Sequence, residues 1–71
     1  MALQFFKIRP DLVHVVFDNT TCAVLHKSVV WGDKWRVLTE DRKAPDIPDC
    51  EKLMDIQLAI VDRWSRWLST Q

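Results

Sequence analysis

The sequence has a single glycine, no excess of either charge, and no apolar run long enough to cross a membrane. A glycine-rich phosphate loop needs several glycines, so this class of site is excluded. Ten Lys and Arg residues balance ten Asp and Glu residues, which argues against a protein held mainly by phosphates or anionic lipid. The first residues lack the basic and apolar segments of a signal peptide. We therefore expect a complete, small cytoplasmic protein.

Potential metal ligands and nucleophiles are also few. Cys22 and Cys50 make no disulfide framework, and buried free thiols are common, so we expect reduced thiols. On one strand Cys22 and His26 would lie about 13 Å apart, at roughly 3.3 Å per residue, too far to share a zinc ion or a proton. The spacings CxxC and HxxxH do not occur. We predict no metal site, no cofactor and no catalytic site, and so a protein that is not an enzyme.

The C-terminal third has the clearest periodicity, and we predict one helix over residues 48–68. At about 100° per residue the apolar side chains cover a continuous arc of roughly 200°. The arc is formed by Ile56, Trp67, Ile60, Leu53, Trp64, Cys50, Leu68, Val61, Met54 and Leu58. Asp46, Pro48 and Asp49 are typical of a helix start. A helix on one sheet needs an arc of little more than about 100°, so this helix should contact a second surface as well.

Gln57 lies within the apolar arc and must find hydrogen-bond partners if it is buried. One interpretation is a bond to nearby backbone or water. The other is that Gln57 fixes the register of a helix–helix contact.

The first forty residues alternate between β-branched or aromatic runs and turn-forming residues. They predict four strands, at residues 3–8, 12–17, 21–30 and 35–40. A polar, proline-containing connection over residues 40–48 leads to the helix. The predicted fold is α+β, a single domain over residues 1–71. It has an antiparallel four-stranded sheet and one C-terminal helix on one face, in the order β-β-β-β-α.

The turns predict which residues face each other across the sheet. A turn at residues 19–20 aligns Phe17 with Cys22. The single glycine falls in a later tight turn and aligns Val30 with Trp35. We therefore expect the core face to consist of Val13, Val15, Phe17, Cys22, Val24, Val30, Trp35 and Val37.

The opposite face is too apolar for a surface that contacts only water. It should carry Leu12, His14, Val16, Ala23, Leu25, Lys27, Val29, Trp31, Arg36 and Leu38. His14 and His26 then point to opposite sides, unless a bulge near Lys27 flips the faces beyond it. An apolar outer face indicates an interface.

The wide apolar arc of the helix and the apolar outer face of the sheet together predict a protein-interaction module. The simplest form is a homodimer, made by helix packing or sheet augmentation. It would act as a regulator or inhibitor of a protein partner, as a small bacterial or phage accessory protein does. Tryptophan and arginine are enriched where interfaces concentrate binding energy. The predicted contact residues are Trp31, Trp35, Arg36, Arg63, Trp64, Arg66 and Trp67.

The alternative is a protein that binds single-stranded nucleic acid. Trp31 and Trp35, with Arg36, Lys34 and Lys27, would form a basic, aromatic surface on which bases stack. Acidic residues interrupt this set, so it makes no stripe of one charge.

Overall fold

A computed structural model describes residues 3–70 and confirms the predicted α+β fold. Its strands are β1 (Leu3–Arg9), β2 (Leu12–Phe17), β3 (Thr20–Ser28) and β4 (Lys34–Leu38), and its helix is α1 (Leu53–Ser69). The four strands form one antiparallel sheet in the order β1-β2-β3-β4. The helix packs on one face of this sheet and contacts both β1 and β4.

The turn between β2 and β3 lies one residue earlier than predicted. Asp18 and Asn19 both have positive φ, 52° and 63°, as a two-residue type I′ turn requires. Phe17 therefore pairs with Thr20, and the predicted pairing with Cys22 is wrong. The register then shifts at Cys22, which is an extra residue in β3. The bulge thus lies at Cys22 and not near Lys27.

This shift reverses the faces that we predicted for β3. Ala23 and Leu25 are buried, although we expected them on the outer face. Val24 moves to the outer face, where it pairs with His14. His26 is on that face too, so the prediction that the two histidines point to opposite sides is wrong. The reason is the two-residue period of a strand, in which a slip of one residue reverses every side chain.

The connection between β3 and β4 is longer than a tight hairpin. It contains a 3₁₀ turn, Val29–Trp31, followed by Gly32 in the left-handed region with φ of 67°. The Ser28 hydroxyl accepts a hydrogen bond from the Val30 N–H at 3.2 Å, which caps the turn. Trp35 consequently pairs with Lys27, and Val30 is exposed instead of facing Trp35 in the core.

Replacing Gly32 with alanine is expected to lower the free energy of unfolding by about 1 kcal/mol, because a Cβ disfavours the left-handed region. A Cβ built at this position meets no atom within 4 Å, so the cost is conformational and not steric. Gly32→Asn should lose less, since asparagine tolerates this region. Urea unfolding of the three proteins measures the difference, and an alanine variant as stable as the parent would refute it.

The core lies between the sheet and α1. Val13, Val15 and Trp35 are buried in it, as predicted. The full set of buried apolar residues is Val13, Val15, Ala23, Leu25, Trp35, Ile56, Ile60 and Trp64.

The helix begins at Leu53, later than the predicted start between Asp46 and Asp49. Cys50 lies before it, in extended backbone that pairs with Trp35. The Trp35 N–H donates to the Cys50 carbonyl at 2.7 Å, and the Cys50 N–H donates back at 3.1 Å. Cys50 therefore lies outside the helix and does not belong to its apolar arc. Its backbone instead pairs with part of the free edge of β4.

Candidate interaction surfaces

One side of α1 presents an apolar stripe to solvent. Met54, Leu58 and Val61 are 68%, 60% and 44% exposed. They are spaced i, i+4 and i+7, so they follow one line along the helix. The centre of the arc, with Ile56 and Ile60, is buried on the sheet. We call Met54, Leu58 and Val61 the helix flank.

The opposite side of α1 is fixed against the connection from β4. Arg63 donates to the Asp46 carbonyl at 2.8 Å, and the Trp64 Nε1–H donates to the Pro45 carbonyl at 2.9 Å. The helix flank lies about 140–180° around the helix from Arg63. The connection therefore lies against the Arg63 side of α1, and the helix flank is left exposed.

The outer face of the sheet carries one row of side chains across all four strands. Phe6 pairs with His14, His14 with Val24, and Val24 with Leu38. We call Phe6, His14, Val24 and Leu38 the outer row. Phe6 and Leu38, at its two ends, are exposed, and the two central residues are half-buried. The row is a mainly apolar surface.

Beside the outer row lies a cluster centred on Trp31 and Arg36. The Arg36 guanidinium is 4.4 Å from the centre of the Trp31 ring, which is a cation–π contact. Trp31 also meets His26 edge to face, with 5.5 Å between ring centres. Asp49 accepts hydrogen bonds from Arg36 Nε at 3.2 Å and from its NH2 group at 2.9 Å. Asp11 lies 3.6 Å from His26. We call these five residues the Trp31 cluster.

The pair of Arg36 and Asp49 holds each group in its charged form. Hydrogen bonds from Arg36 lower the pKa of Asp49 below its ordinary value of 3.8, and Lys34 adds a smaller attraction. The same hydrogen bond raises the pKa of Arg36. Both side chains are partly exposed, so solvent screens the pair. The main effect of the ion pair is therefore to hold the Arg36 side chain over the Trp31 ring. Its contribution to the stability of the fold is small.

The lowered pKa of Asp49 predicts how the free energy of unfolding depends on pH. A carboxyl group with a depressed pKa in the folded state stabilises it above the unfolded value, and this contribution is lost as pH falls through the folded value. Asp49→Asn should therefore be slightly less stable than the parent at pH 7, and the two proteins should converge as pH falls below 3.8 and through the lowered folded-state pKa of Asp49. Urea unfolding from pH 7 to pH 2 measures this. Asp46→Asn is the control, and a gap that stays constant with pH would contradict the prediction.

The predicted contact residues separate into two groups on opposite sides of the sheet. Trp31 and Arg36 come together on the outer face. Trp35 is 5% exposed and Trp64 is 1% exposed, so both belong to the core and present almost no surface to a partner. Trp67 is half-buried, with its ring centre 5.5 Å from that of Trp64.

The two arginines of α1 differ from each other. Arg63 is tied to the connection from β4, as described above, whereas Arg66 is exposed on the helix surface. The residues that the sequence reasoning did not single out as contacts are Met54, Leu58 and Val61. The width of the apolar arc was the signal that could have found them.

Neither cysteine lies in surroundings that activate a thiol. Burial raises the pKa of Cys22, whose Sγ–H donates to the Val15 carbonyl at 3.5 Å. Burial and then the charges of Asp55 and Asp49 raise the pKa of Cys50. Both are free thiols. Residues 3–70 contain no group of three or more His, Cys, Asp or Glu side chains arranged to hold a metal ion.

No helix within residues 3–70 combines the length and the apolar character needed to cross a membrane. In comparisons with known proteins, no family model, curated protein or solved structure matches the chain. Its function is therefore argued from its surfaces.

Proposed function

We propose that this chain is a small protein-interaction module that forms a homodimer through the helix flank and acts by binding a protein partner. One observation carries the proposal. Three large apolar side chains in line are exposed on a helix whose other apolar residues are buried or half-buried. Burying apolar surface contributes about 25 cal/mol per Å², so covering the helix flank is favourable. A small domain gains much from such burial, because a chain of this size buries only about 60% of its unfolded surface.

The native molar mass tests this proposal. Light scattering on a sizing column, over a hundredfold range of loading concentration, should give twice the 8.4 kDa of one chain at the upper end. The mass should fall toward one chain on dilution, since self-association follows mass action. A mass of one chain at every concentration would refute the homodimer.

The outer row and the Trp31 cluster are the surface that we assign to a different protein. They lie on the face of the sheet opposite the helix, so a dimer formed through the helix side leaves them accessible. The rigid stacking of Arg36 on Trp31 lowers the entropy lost on binding. Binding here would allow the dimer to act as a regulator or inhibitor. This assignment predicts that Trp31→Ala weakens capture of the partner without changing the molar mass of the dimer.

The alternative function, binding of single-stranded nucleic acid, has less support from the described residues. It relied on Trp31 and Trp35 stacking bases together, whereas Trp35 lies in the core on the other face. Asp49 already pairs with Arg36, and Asp11 pairs with Arg9 and lies beside His26, so these carboxylates offset the positive charge that phosphate would need. It stays a prediction that a mobility-shift assay with labelled oligonucleotides at low salt can test.

A further inference from the structure

The helix flank is too small to hold a dimer by itself. Stable interfaces bury about 800 Å² per partner, from roughly 20–30 residues on each side. Three partly covered side chains supply far less than this. The helix contacts β1 and β4. Cys50 covers part of the free edge of β4, so β1 is the neighbouring strand whose open edge can complete the interface.

Strand β1 has one open edge and several exposed residues there. It pairs with β2 alone among the described strands. Phe6 and Ile8 are both about half exposed. Lys7 pairs in register with Val13, which is buried under the helix, so Lys7 lies on the helix side of the sheet. Phe6 belongs to the outer row, so we call Lys7, Ile8 and Arg9 the basic edge.

The helix flank has the opposite charge at its border. Asp55 and Asp62 lie three residues before and four residues after Leu58, so both are its neighbours on the helix surface. Within residues 3–70 neither of them takes part in an ion pair, and neither does Lys7. Arg66, four residues after Asp62, is likewise absent from these pairs. The helix flank is therefore apolar with an acidic border. In the basic edge, Lys7 lies beside the apolar Ile8, while Arg9 is 3.6 Å from Asp11 and pairs with it.

We propose that the helix flank of one copy binds the basic edge of a second copy, and that a two-fold axis repeats this contact. The inference rests on the proposed homodimer. In a two-fold interface, if a patch on one copy contacts a different patch on the other, the reverse contact also forms. Asp62 and Lys7 of the partner copy thus approach each other twice.

The two simpler symmetric arrangements place like charges together. Packing helix flank on helix flank brings the aspartates of both copies to one seam. Pairing β1 with β1 brings Lys7 and Arg9 of both copies to one edge, and lysine on an edge strand is a common device against such pairing. Charge therefore favours the reciprocal contact of helix flank with basic edge.

Two charge reversals test the contact, Asp62→Lys and Lys7→Glu. Each variant alone forms a homodimer with two like-charge contacts, so its dissociation constant should rise on the order of 10-fold. In a mixture, the heterodimer has one native contact and one reversed contact, both attractive. The mixture should therefore dimerise about as tightly as the parent, which sedimentation equilibrium of the two variants, separate and mixed, measures. Circular dichroism of each variant verifies its fold.

Each outcome has a distinct meaning. Recovery of affinity only in the mixture supports the contact between copies. If Asp62→Lys tightens the dimer, Asp62 faces Asp55 of the other copy and the helices pack together, which overturns the inference but keeps the homodimer. If the parent dimerises and mixing changes nothing, the basic edge is not part of the interface. If the parent is a monomer, the proposed homodimer itself fails.

Discussion

Leu58→Lys is expected to convert the proposed homodimer into monomers, raising its dissociation constant on the order of 100-fold, or about 2.7 kcal/mol. Leu58 is the middle residue of the helix flank, so lysine there removes apolar contact and buries a charge at the interface. In the proposed contact it also faces the cations of the basic edge. Molar mass against concentration measures the change.

The fold of the Leu58→Lys monomer should be unaffected. Leu58 is 60% exposed, lysine is a good helix former, and Asp55 and Asp62 are its neighbours on the helix surface. Glu40→Gln is the matched control, because it adds the same net charge at an exposed position in the connection after β4. A Leu58→Lys protein with the mass of the parent, or a control that dissociates equally, would contradict this prediction.

Trp64→Ala is expected to have the largest effect on the fold, lowering the free energy of unfolding by about 3–5 kcal/mol. Trp64 is the largest fully buried side chain, and its Nε1–H donates a hydrogen bond to the Pro45 carbonyl. Small domains are stable by only about 5–15 kcal/mol, so this loss removes a large fraction of the stability. Trp64→Phe keeps most of the apolar volume and loses the hydrogen bond, so its loss should be smaller, about 1–2 kcal/mol.

Trp31→Ala is the comparison for Trp64→Ala, since it removes the same side chain from the outer face. It should cost clearly less, because Trp31 is only half-buried. Urea unfolding should be recorded at one fixed protein concentration, because self-association adds to apparent stability. Equal losses for the two alanine variants would show that Trp64 is not the centre of the core.

The architecture could be predicted because hydrophobic periodicity extends over many residues. The period of α1 and the β-branched runs gave the right elements in the right order, and α1 ends at Ser69, close to the predicted Leu68. The apolar arc was also wider than the sheet covers, which left the helix flank exposed. A pattern of this length identifies the element even when its first and last residues are assigned wrongly.

The faces of β3 could not be predicted because they depend on two single residues. The alternation in β3 fits either face, since Cys22, Val24, Ala23 and Leu25 are all apolar. The type I′ turn at Asp18 and Asn19 and the extra residue at Cys22 decided between them. The start of α1 was mistaken for a related reason, as backbone pairing of Cys50 with Trp35 outweighed the helix-start signals at Pro48 and Asp49.

The grouping of contact residues could be predicted only in part. Trp31 and Arg36 do meet on the outer face, although the predicted pairings did not bring them together through a 3₁₀ turn. Trp64 was predicted as a contact residue because tryptophan is enriched at interfaces, whereas its side chain is buried in the core. A tryptophan is equally suited to an interface and to a core, and only its place on the arc distinguishes them.

The most direct test of the helix flank as the self-interface is an isotope-filtered NMR experiment on a dimer with one labelled and one unlabelled copy. It detects nuclear Overhauser contacts that pass only between copies. We predict such contacts from the Met54, Leu58 and Val61 methyl groups to Lys7 and Ile8 of the other copy. Contacts between copies confined to the outer row, at Val24 and Leu38, would contradict the account.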